Sequence, residues 1–413
     1  MLIYQLFRKK SIDILMLKIC VIGLGYVGLP ICLELSKKYK TTGFDINKSR
    51  IASLRKNIDL NNEFKKKDFL KKKLIFTDKI QEIKNCNFYI ICVPTPITKS
   101  KKPDLQFIEK CFDTIKNFLK KDDIIVLEST VYPGVTESYA KSLENNSKLI
   151  SNKDFFVCYS PERINPGDKK NELSRINKIL AYEGNNIKIK KKLEEVYSKI
   201  CKNLIFTKNI REAETAKGIE NIQRDLNIAF YNEVLLICEK LNIEFNEVIR
   251  LAKTKWNFIN FSPGLVGGHC LPVDPYYLTY IAGKKGYKSK VTLSGRYVNN
   301  YMKKYVINFT NSFVNKSQIK KNKIRICVVG LTYKYGVSDT RNSQKIEIFK
   351  YFKKKFKNTK CFDPFLKSKD NLKYNELKKY NFFLFLSKGE KFKFIANLID
   401  KKKIIDPFLY YSS

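Results

Sequence analysis

Short apolar runs alternate with amphipathic segments along the first half of the chain. The runs at residues 18–22, 88–93, 124–127 and 155–158 consist mainly of aliphatic and aromatic residues. Continuous apolar runs of this length are typical of parallel strands that are buried on both faces. Helical spacing of apolar residues separates them, so the pattern predicts an α/β fold built around a parallel sheet.

A glycine-rich sequence directly follows the first predicted strand, at residues 23–28. In this setting Gly23 makes a tight turn, Gly25 lets backbone N–H groups approach a pyrophosphate, and Gly28 permits close helix packing. The next predicted strand ends at Asp45, where an acid accepts hydrogen bonds from a ribose diol and repels the extra phosphate of NADP. A glycine turn without a ligand is the simpler alternative. The spacing favours an NAD-binding domain.

Polar and turn residues follow the other predicted strands of this region. They form the segments Pro-Thr-Pro at 94–96, Glu-Ser-Thr-Val-Tyr-Pro-Gly at 128–134 and Ser-Pro-Glu-Arg at 160–163. Because open α/β sheets bind ligands at the carboxyl ends of their strands, these segments are candidates for ligand contacts. We expect the NAD-binding Rossmann domain to span residues 16–212.

The spacing changes beyond this point to that of long helices. Residues 214–241 contain no proline and predict a helix of nearly 30 residues, and a helix of this length between domains often forms a spine or a dimer contact. Lys217 and Asn221 are four positions apart and therefore share one face, although an exposed solvated pair is the simpler interpretation. With one further helical region at 276–316, we predict a central helical domain at residues 213–316.

Strands are predicted again at residues 323–330, 360–363 and 382–386, without a second glycine motif. This α/β pattern indicates a C-terminal Rossmann-like domain at residues 317–413 whose ligand differs from that of the first domain. The predicted fold class is therefore α/β, with two Rossmann-like doubly wound domains joined by a central long-helix domain. Residues 1–15 lack the ordered regions of a signal peptide and form a possible N-terminal extension.

The loop at residues 264–275 concentrates reactive groups. It contains Cys270, the only histidine (His269) and Asp274 within six residues, behind several glycines. A cysteine near a positive group and an acid can be an activated nucleophile. Taken by itself, a small buried cysteine in a glycine turn is the simpler interpretation.

Composition narrows the class of protein. The 413 residues contain 80 Lys and Arg and 40 Asp and Glu, a formal charge of +40, which suits a nucleic-acid binder or an enzyme of anionic substrates. Because the lysines are spread over the whole length, we expect a solvated surface without a specific nucleic-acid partner. Eleven scattered cysteines indicate reduced core residues and a cytoplasmic location. A single histidine disfavours a metal site, and no apolar run is long enough for membrane insertion.

Taken in order, these motifs resemble the UDP-glucose/GDP-mannose dehydrogenase family from residue 18 to about 345. The resemblance implies an NAD-dependent, four-electron oxidation of the C6 hydroxyl of a nucleotide sugar to a uronic acid. Segments 220–229 and 255–277 are most similar to the UDP-N-acetylhexosamine branch, which serves Vi-type capsule and O-antigen synthesis. The proline at 272 is more similar to the UDP-N-acetylmannosamine branch, and the stretch at 386–390 departs from the family pattern.

The resemblance also implies roles for individual residues. Catalytic roles fall to Cys270, Lys217, Asp274, Asn221, Glu162 and Thr130. NAD contacts fall to Gly23, Gly25, Tyr26, Val27, Gly28, Asp45, Arg50, Pro94, Thr95 and Thr130. Substrate contacts fall to Glu162, Arg163, Lys217, Asn221, His269, Lys334 and Arg341. The third domain would bind the uridine nucleotide, and the long helix would mediate a homodimer.

In this scheme Cys270 captures the aldehyde as a thiohemiacetal, which becomes a thioester. Lys217 helps to remove the alcohol proton and stabilises oxyanions, while Asp274 acts with a water near Thr130 and Glu162. The expected substrate is UDP-GlcNAc or UDP-GalNAc, and UDP-glucose and UDP-N-acetylmannosamine are alternatives. An alternative from another class is a polyanion-binding protein on an inactive dehydrogenase scaffold.

Overall fold

A computed structural model of the protein describes residues 17–61, 63–70, 73–163 and 175–411. Within them the chain forms two compact units, described one at a time below. The first unit comprises residues 17–95 and 104–215, and the second comprises residues 96–103 and 216–411. The predicted N-terminal extension at 1–15 lies outside the described residues.

An eight-stranded sheet forms the centre of the first unit. Its strands are β1 (Lys18–Ile22), β2 (Lys40–Phe44), β3 (Leu74–Thr77), β4 (Phe88–Ile91), β5 (Ile124–Leu127), β6 (Phe156–Tyr159), β7 (Asn177–Ala181) and β8 (Asn203–Thr207). The strand order is β3-β2-β1-β4-β5-β6-β7-β8, and only the β6–β7 pair is antiparallel. The first six strands have the order 3-2-1-4-5-6 of dinucleotide-binding folds, which confirms the predicted Rossmann sheet.

Helices connect the parallel strands of this sheet. They are α1 (Gly28–Leu35), α2 (Lys48–Arg55), α3 (Gln106–Lys116), α4 (Val135–Asn145) and α5 (Ile187–Tyr197). Strands β4 and β5 are buried along their whole length, as expected for parallel strands covered on both faces. Strand β4 ends at Ile91, two residues before its predicted end. The backbone N–H of Cys92 still donates to the carbonyl oxygen of Ile22 at 2.8 Å, and Pro94 beyond it has no N–H to donate.

Long helices form the first half of the second unit. They are α6 (Ile210–Leu241), which begins in the first unit, α7 (Phe245–Ala252), α8 (Asp274–Lys284) and α9 (Lys290–Lys316). The long helix predicted at 214–241 is confirmed, with 32 residues. The helical region predicted at 276–316 is confirmed, and the structure divides it into α8 and α9. Gly286 has a φ of +82°, and this left-handed residue ends α8 as glycines commonly do after a helix.

A four-stranded parallel sheet completes the second unit. Its strands are β9 (Ile326–Val329), β10 (Lys360–Phe362), β11 (Phe382–Phe385) and β12 (Ile404–Ile405), and its helices are α10 (Gln344–Lys355) and α11 (Glu390–Leu398). The order is β10-β9-β11-β12. Strand β10 is added on one side of β9 and β11 on the other, so the strand order reverses between β9 and β11. One apolar core joins Tyr231 of α6 and Met302 of α9 to Val328 of β9. None of the described helices is long and apolar enough to cross a membrane.

Candidate active site

The glycine turn after β1 has the shape that the sequence motif requires. Gly23 has a φ of +90°, and a Cβ atom there would lie 2.8 Å from the carbonyl oxygen of Cys92. A Cβ atom on Gly28 would lie 1.9 Å from the carbonyl oxygen of Gly23, whereas one on Gly25 would meet no atom within 4 Å. The first and third glycines are therefore required by the fold, and the second leaves open space beside the backbone for a ligand.

An acid and a buried arginine flank this turn. Asp45 follows β2 and accepts a hydrogen bond from the backbone N–H of Leu24, at 2.8 Å. Arg50 donates from Nε to the carbonyl oxygen of Leu24 at 3.0 Å and from Nη1 to Asp59 at 2.7 Å. Its Nη2 atom is buried and has no hydrogen-bond partner among the described residues. A fixed acid, an open glycine and a spare buried guanidinium donor together fit a dinucleotide.

The other residues predicted to bind the cofactor lie at the same edge of the sheet. Tyr26 and Val27 are half-buried in the glycine turn, and Thr95 follows β4, next to the exposed Pro94. Thr130 follows β5 and is half-buried. The first unit therefore collects the predicted cofactor residues at the carboxyl ends of its central strands.

Glu162 follows β6 and contacts a buried ionic cluster. One of its oxygens accepts a hydrogen bond from the backbone N–H of Arg163 at 2.6 Å, and the other lies 3.5 Å from Nζ of Lys178. Lys178 also donates to Glu128, which accepts a hydrogen bond from the hydroxyl of Tyr197 at 2.7 Å. Lys178 and Tyr197 were not identified from the sequence. A lysine directly before the apolar residues 179–181 of strand β7 is the signal that could have revealed the first of them.

The charges within this cluster are arranged to hold a cation in the interior. Burial alone would lower the pKa of Lys178, but the carboxylates of Glu128 and Glu162 raise it above its ordinary value. Lys178 and Glu128 have side chains that are 0% exposed. A buried charge is tolerated only with such partners, so Lys178 serves as a fixed ammonium beside Glu162.

The second unit carries the predicted nucleophile and its neighbours. Cys270 is exposed, and its carbonyl oxygen accepts hydrogen bonds from the backbone N–H groups of Val273 and Asp274 at 2.9 and 2.8 Å. The cysteine therefore lies one turn ahead of α8, which begins at Asp274. None of the eleven cysteines forms a disulfide, and Cys270 alone among them is exposed.

Helix α6 presents two polar side chains to the first residue of α8. Asn221 donates its side-chain amide to the carboxylate of Asp274, and Lys217 is 7% exposed. Burial raises the pKa of Asp274 to about 6, although the Lys217 ammonium and the Asn221 hydrogen bond both act to lower it. The structure thus brings together three of the residues predicted to be catalytic and supplies a carboxyl group that titrates near neutral pH.

The cysteine loop is anchored at its beginning by a residue that sequence reasoning missed. The side-chain amide of Asn232 donates to the carbonyl oxygen of Gly264 at 3.1 Å and to Asn299 at 2.8 Å. Its side-chain oxygen accepts the backbone N–H of Gly264 at 2.8 Å. Asn299 in turn donates to Asp225, which accepts a further hydrogen bond from Arg296 at 2.6 Å. This buried network fixes the loop to α6 and α9.

His269 contacts an acid in the loop after β9. Its Nε2 atom lies 3.0 Å from Oδ2 of Asp339, which also accepts a hydrogen bond from Arg341 at 2.7 Å. Burial would raise the pKa of Asp339, but hydrogen bonds from His269 and Arg341 lower it below its usual range. Arg341 keeps 58% of its side chain exposed, and Lys334 is half-buried in the same loop.

The predicted site residues are thus divided between the units. The first unit holds the cofactor residues, Thr130, Glu162 and Arg163, and the second holds Lys217, Asn221, His269, Cys270, Asp274, Lys334 and Arg341. In the described ranges, no group of three His, Cys, Asp or Glu side chains is arranged to hold a metal ion.

The sheet order, the glycine turn and the acid after β2 define an NAD-binding Rossmann domain, the cofactor domain that NAD-dependent dehydrogenases use. Comparison with known families agrees along nearly the whole chain. Residues 17–201 match the NAD binding domain of the UDP-glucose/GDP-mannose dehydrogenase family, residues 211–313 its central domain and residues 327–411 its UDP binding domain. The chain belongs to this family, and it is an NAD-dependent nucleotide-sugar 6-dehydrogenase.

Individual relatives cover most of the chain. This chain is 43% identical over 356 residues to a UDP-N-acetyl-D-glucosamine 6-dehydrogenase from Salmonella typhi, and the match covers 86% of this chain and 83% of the relative. A Pseudomonas aeruginosa enzyme of the same name is 43% identical over 357 residues, covering 86% and 84%. The solved UDP-N-acetyl-mannosamine dehydrogenase of Pyrococcus horikoshii superposes with a TM-score of 0.84 at 30% identity, covering 94% of this chain and 93% of that one.

Proposed function

We propose that the enzyme oxidises the C6 hydroxyl of a UDP-N-acetylhexosamine, UDP-GlcNAc or UDP-GalNAc, to the uronic acid for capsule or O-antigen synthesis. Relatives named for UDP-N-acetyl-D-glucosamine at 43% identity support this substrate class. The similarity to a UDP-N-acetyl-mannosamine dehydrogenase keeps that epimer as the second candidate. The main observation that supports the mechanism is that Cys270 is exposed and lies one turn before the buried Asp274.

The overall reaction converts one alcohol, one water and two NAD⁺ into one carboxylate, two NADH and three protons. NAD supplies the hydride acceptor for each of the two oxidations. After the first oxidation, the Cys270 thiolate adds to the aldehyde carbon, and the oxygen takes up a proton to give a thiohemiacetal. Loss of a hydride and a proton then gives a thioester. Attack by water breaks the carbon–sulfur bond and restores the cysteine, so the aldehyde stays covalently bound.

Proton transfers in this scheme fall to the groups around α8. Asp274, whose pKa burial raises to about 6, is a carboxylate at neutral pH and can accept a proton from a reacting hydroxyl or water. The Lys217 ammonium stabilises negative charge on the reacting oxygen. Asn221 holds the Asp274 carboxylate in place and would share its donors with the substrate oxygen.

The remaining roles follow the family resemblance. Glu162 and Thr130 would hold the attacking water, and Arg163, His269, Lys334 and Arg341 would contact the sugar and the diphosphate, because cationic donors suit phosphate oxygens. We assign NAD binding to residues 16–212, the cysteine loop and dimerisation to 213–316, and the UDP-sugar to 317–413. We also propose a reducing, cytoplasmic location, which eleven cysteines without a disulfide support.

We also propose a homodimer formed through α6. Ile219, Phe230, Ile237 and Leu241 are each at least 50% exposed, and their spacing places them on one face of the helix. An exposed apolar stripe of this kind fits a second copy of the chain. Light scattering of the protein should give twice the chain mass, and F230E should give monomers. A monomeric wild-type protein would reject this proposal.

The decisive experiment measures NADH formed per UDP-sugar consumed, with product mass as confirmation. The proposal expects about two NADH per sugar, fastest with UDP-GlcNAc or UDP-GalNAc in a panel that includes UDP-N-acetylmannosamine and UDP-glucose. A ratio near one, or uronic acid formed at an unchanged rate by C270A, would reject the covalent mechanism. A higher rate on UDP-N-acetylmannosamine or UDP-glucose would change the substrate assignment only.

A further inference from the structure

Lys345, in the first turn of α10, is a buried lysine that the proposed mechanism does not use. It is 5% exposed, and none of the described carboxylates forms an ion pair with it. Its Nζ donates to the carbonyl oxygen of Thr332 at 2.9 Å, to Oγ of Ser387 at 2.6 Å and to the carbonyl oxygen of Tyr333 at 3.4 Å. Burial lowers the pKa of Lys345 to about 8, against the influence of Asp363, so the side chain is still mostly an ammonium at neutral pH.

The partners of Lys345 lie at the reversal point of the second sheet. Thr332 follows β9 and Ser387 follows β11, the two neighbouring strands between which the strand order reverses. Open α/β sheets place their ligand-binding loops at this position. Ser387 belongs to the stretch 386–390 that departs from the family pattern, and it also donates to the carbonyl oxygen of Gly330 at 3.2 Å.

Two side chains hold the backbone of the loop after β9, one through its N–H groups and the other through its carbonyl groups. The Asp363 carboxylate accepts the backbone N–H groups of Leu331 and Thr332 and the Thr332 hydroxyl, each at 2.9 Å. Lys345 donates to the carbonyl groups of Thr332 and Tyr333. An apolar side chain in place of Lys345 would leave these buried carbonyls without that donor, which is unfavourable.

This loop is the surface against which the cysteine loop packs. A Cβ atom on Gly268 would lie 2.9 Å from the ring of Tyr333, and one on Gly267 would lie 3.3 Å from Cβ of Tyr333. Asn342 donates its side-chain amide to the carbonyl oxygen of Gly268 at 3.2 Å. Cys270 is two residues further on, so the position of the Tyr333 ring determines where the cysteine loop can lie.

We propose that Lys345 is a positioning residue for Cys270, acting through the backbone of Thr332 and Tyr333 and the Tyr333 ring. The inference rests on the proposed function only in taking Cys270 as the nucleophile. Lys345 does not contact substrate in this scheme. It fixes the ring against which Gly267 and Gly268 pack, and so limits the movement of the loop that carries the thiol.

The experiment compares K345M with K353M, a lysine substitution on the same helix at a residue that pairs with Asp370. Hydrogen exchange of the peptide covering 264–272 reports loop order without cofactor or substrate. We expect exchange in this peptide to rise about tenfold in K345M and to stay unchanged in K353M. We also expect kcat to fall about tenfold in K345M with an unchanged KM for NAD.

A double-mutant cycle separates positioning from general destabilisation. If Lys345 acts through the ring, K345M should add little to the loss of kcat already caused by Y333A. S387A, which removes one partner of Lys345, should shift exchange in the same direction by a smaller factor. K345R should restore part of kcat, because it keeps a buried cationic donor. S387A and K345R also test the proposal if K345M does not fold.

The proposal would be overturned if the 264–272 peptide of K345M exchanged at the wild-type rate. It would also be overturned if the losses of kcat in K345M and Y333A added fully in the double variant. The proposal also fails if S387A leaves both exchange and kcat unchanged. Failure of the proposed function has a different signature, namely a wild-type protein that forms no NADH with any UDP-sugar. The exchange comparison would still report on Lys345 in that case.

Discussion

Asn221 donates its side-chain amide to the carboxylate of Asp274, a contact between residues 53 positions apart. It joins the middle of α6 to the first residue of α8, directly after the turn that contains Cys270. The carboxylate is buried, and Lys217 on the same face of α6 offsets part of the cost of its charge. The chemistry and the stability of this region should therefore depend on pH through one carboxyl group.

The first prediction concerns Asp274 and pH. Burial raises its pKa in the folded protein to about 6, so between pH 4 and pH 6 the folded state binds more protons than the unfolded state, and stability falls as pH rises. The cost of the charged form is complete above pH 6. D274N should remove this cost. The free energy of unfolding of D274N minus that of wild type should therefore be about 1–3 kcal/mol higher at pH 7 than at pH 4, which means that D274N gains stability relative to wild type.

Urea unfolding at both pH values provides the measurement. D370N is the matched control, since ion pairs with Lys353 and Lys360 lower the pKa of Asp370 and its pH dependence should have the opposite sign. An equal effect of D274N at the two pH values would contradict the prediction. Enzymatic rate should fall below pH 6 in wild type as Asp274 becomes protonated.

The second prediction concerns Asn221. N221A removes a hydrogen bond that lowers the pKa of Asp274, so the acid limb of the pH–rate profile should move to higher pH, with a loss in kcat of about tenfold to a hundredfold. Initial NADH rates between pH 5 and pH 9 test this. N227A, a substitution on the same helix, should leave the profile in place. A loss of rate without any movement of the acid limb would show that Asn221 does not act through the pKa of Asp274.

The third prediction distinguishes two glycines of the NAD turn. G28A forces a Cβ atom to 1.9 Å from a backbone oxygen, whereas G25A adds one where no atom lies within 4 Å. We expect G28A to lose about 1–3 kcal/mol of unfolding free energy. G25A should keep wild-type stability and bind NAD at least about tenfold more weakly, because the methyl group enters the space for the pyrophosphate.

Thermal unfolding without cofactor and calorimetric titration with NAD measure the two effects separately. Each variant serves as the control for the other. Equal NAD affinity in G25A and wild type would show that the cofactor does not approach the backbone at this residue.

The fourth prediction concerns the buried ionic cluster of the first unit. K178M removes the cation that neutralises Glu128 and leaves a carboxylate buried without an ionic partner. We expect a loss of about 3–5 kcal/mol in unfolding free energy. The double variant K178M/E128Q should recover part of the loss, since Glu128 then carries no charge and only Glu162 has lost its cation. Urea unfolding at pH 7 measures both.

K188M, at an exposed lysine of α5, is the control and should change stability by less than about 0.5 kcal/mol. A K178M variant as stable as K188M would show that the cluster contributes no net stabilisation.

Several elements could be predicted from the sequence because their signals are local. Strands β1 and β5 have the predicted bounds, since an uninterrupted apolar run and the turn that ends it lie within a few residues. The apolar spacing does not reveal the break between α8 and α9, because a single glycine is tolerated inside a helical pattern. The left-handed φ of +82° at Gly286 shows that this residue ends a helix.

The amino-acid sequence by itself determined the glycine turn, the acid that follows β2, the long helix α6 and the family. The turn, the acid and the helix each depend on residue types within one segment, and the family is indicated by the order of such local motifs along the chain. Only the tertiary structure decided that Asn232 holds Gly264, that Lys178 neutralises Glu128 and that Lys345 meets Ser387, since these partners are 32, 50 and 42 positions apart. Local backbone preferences act over a few residues, whereas such pairs form only when packing brings distant segments together and excludes water from them.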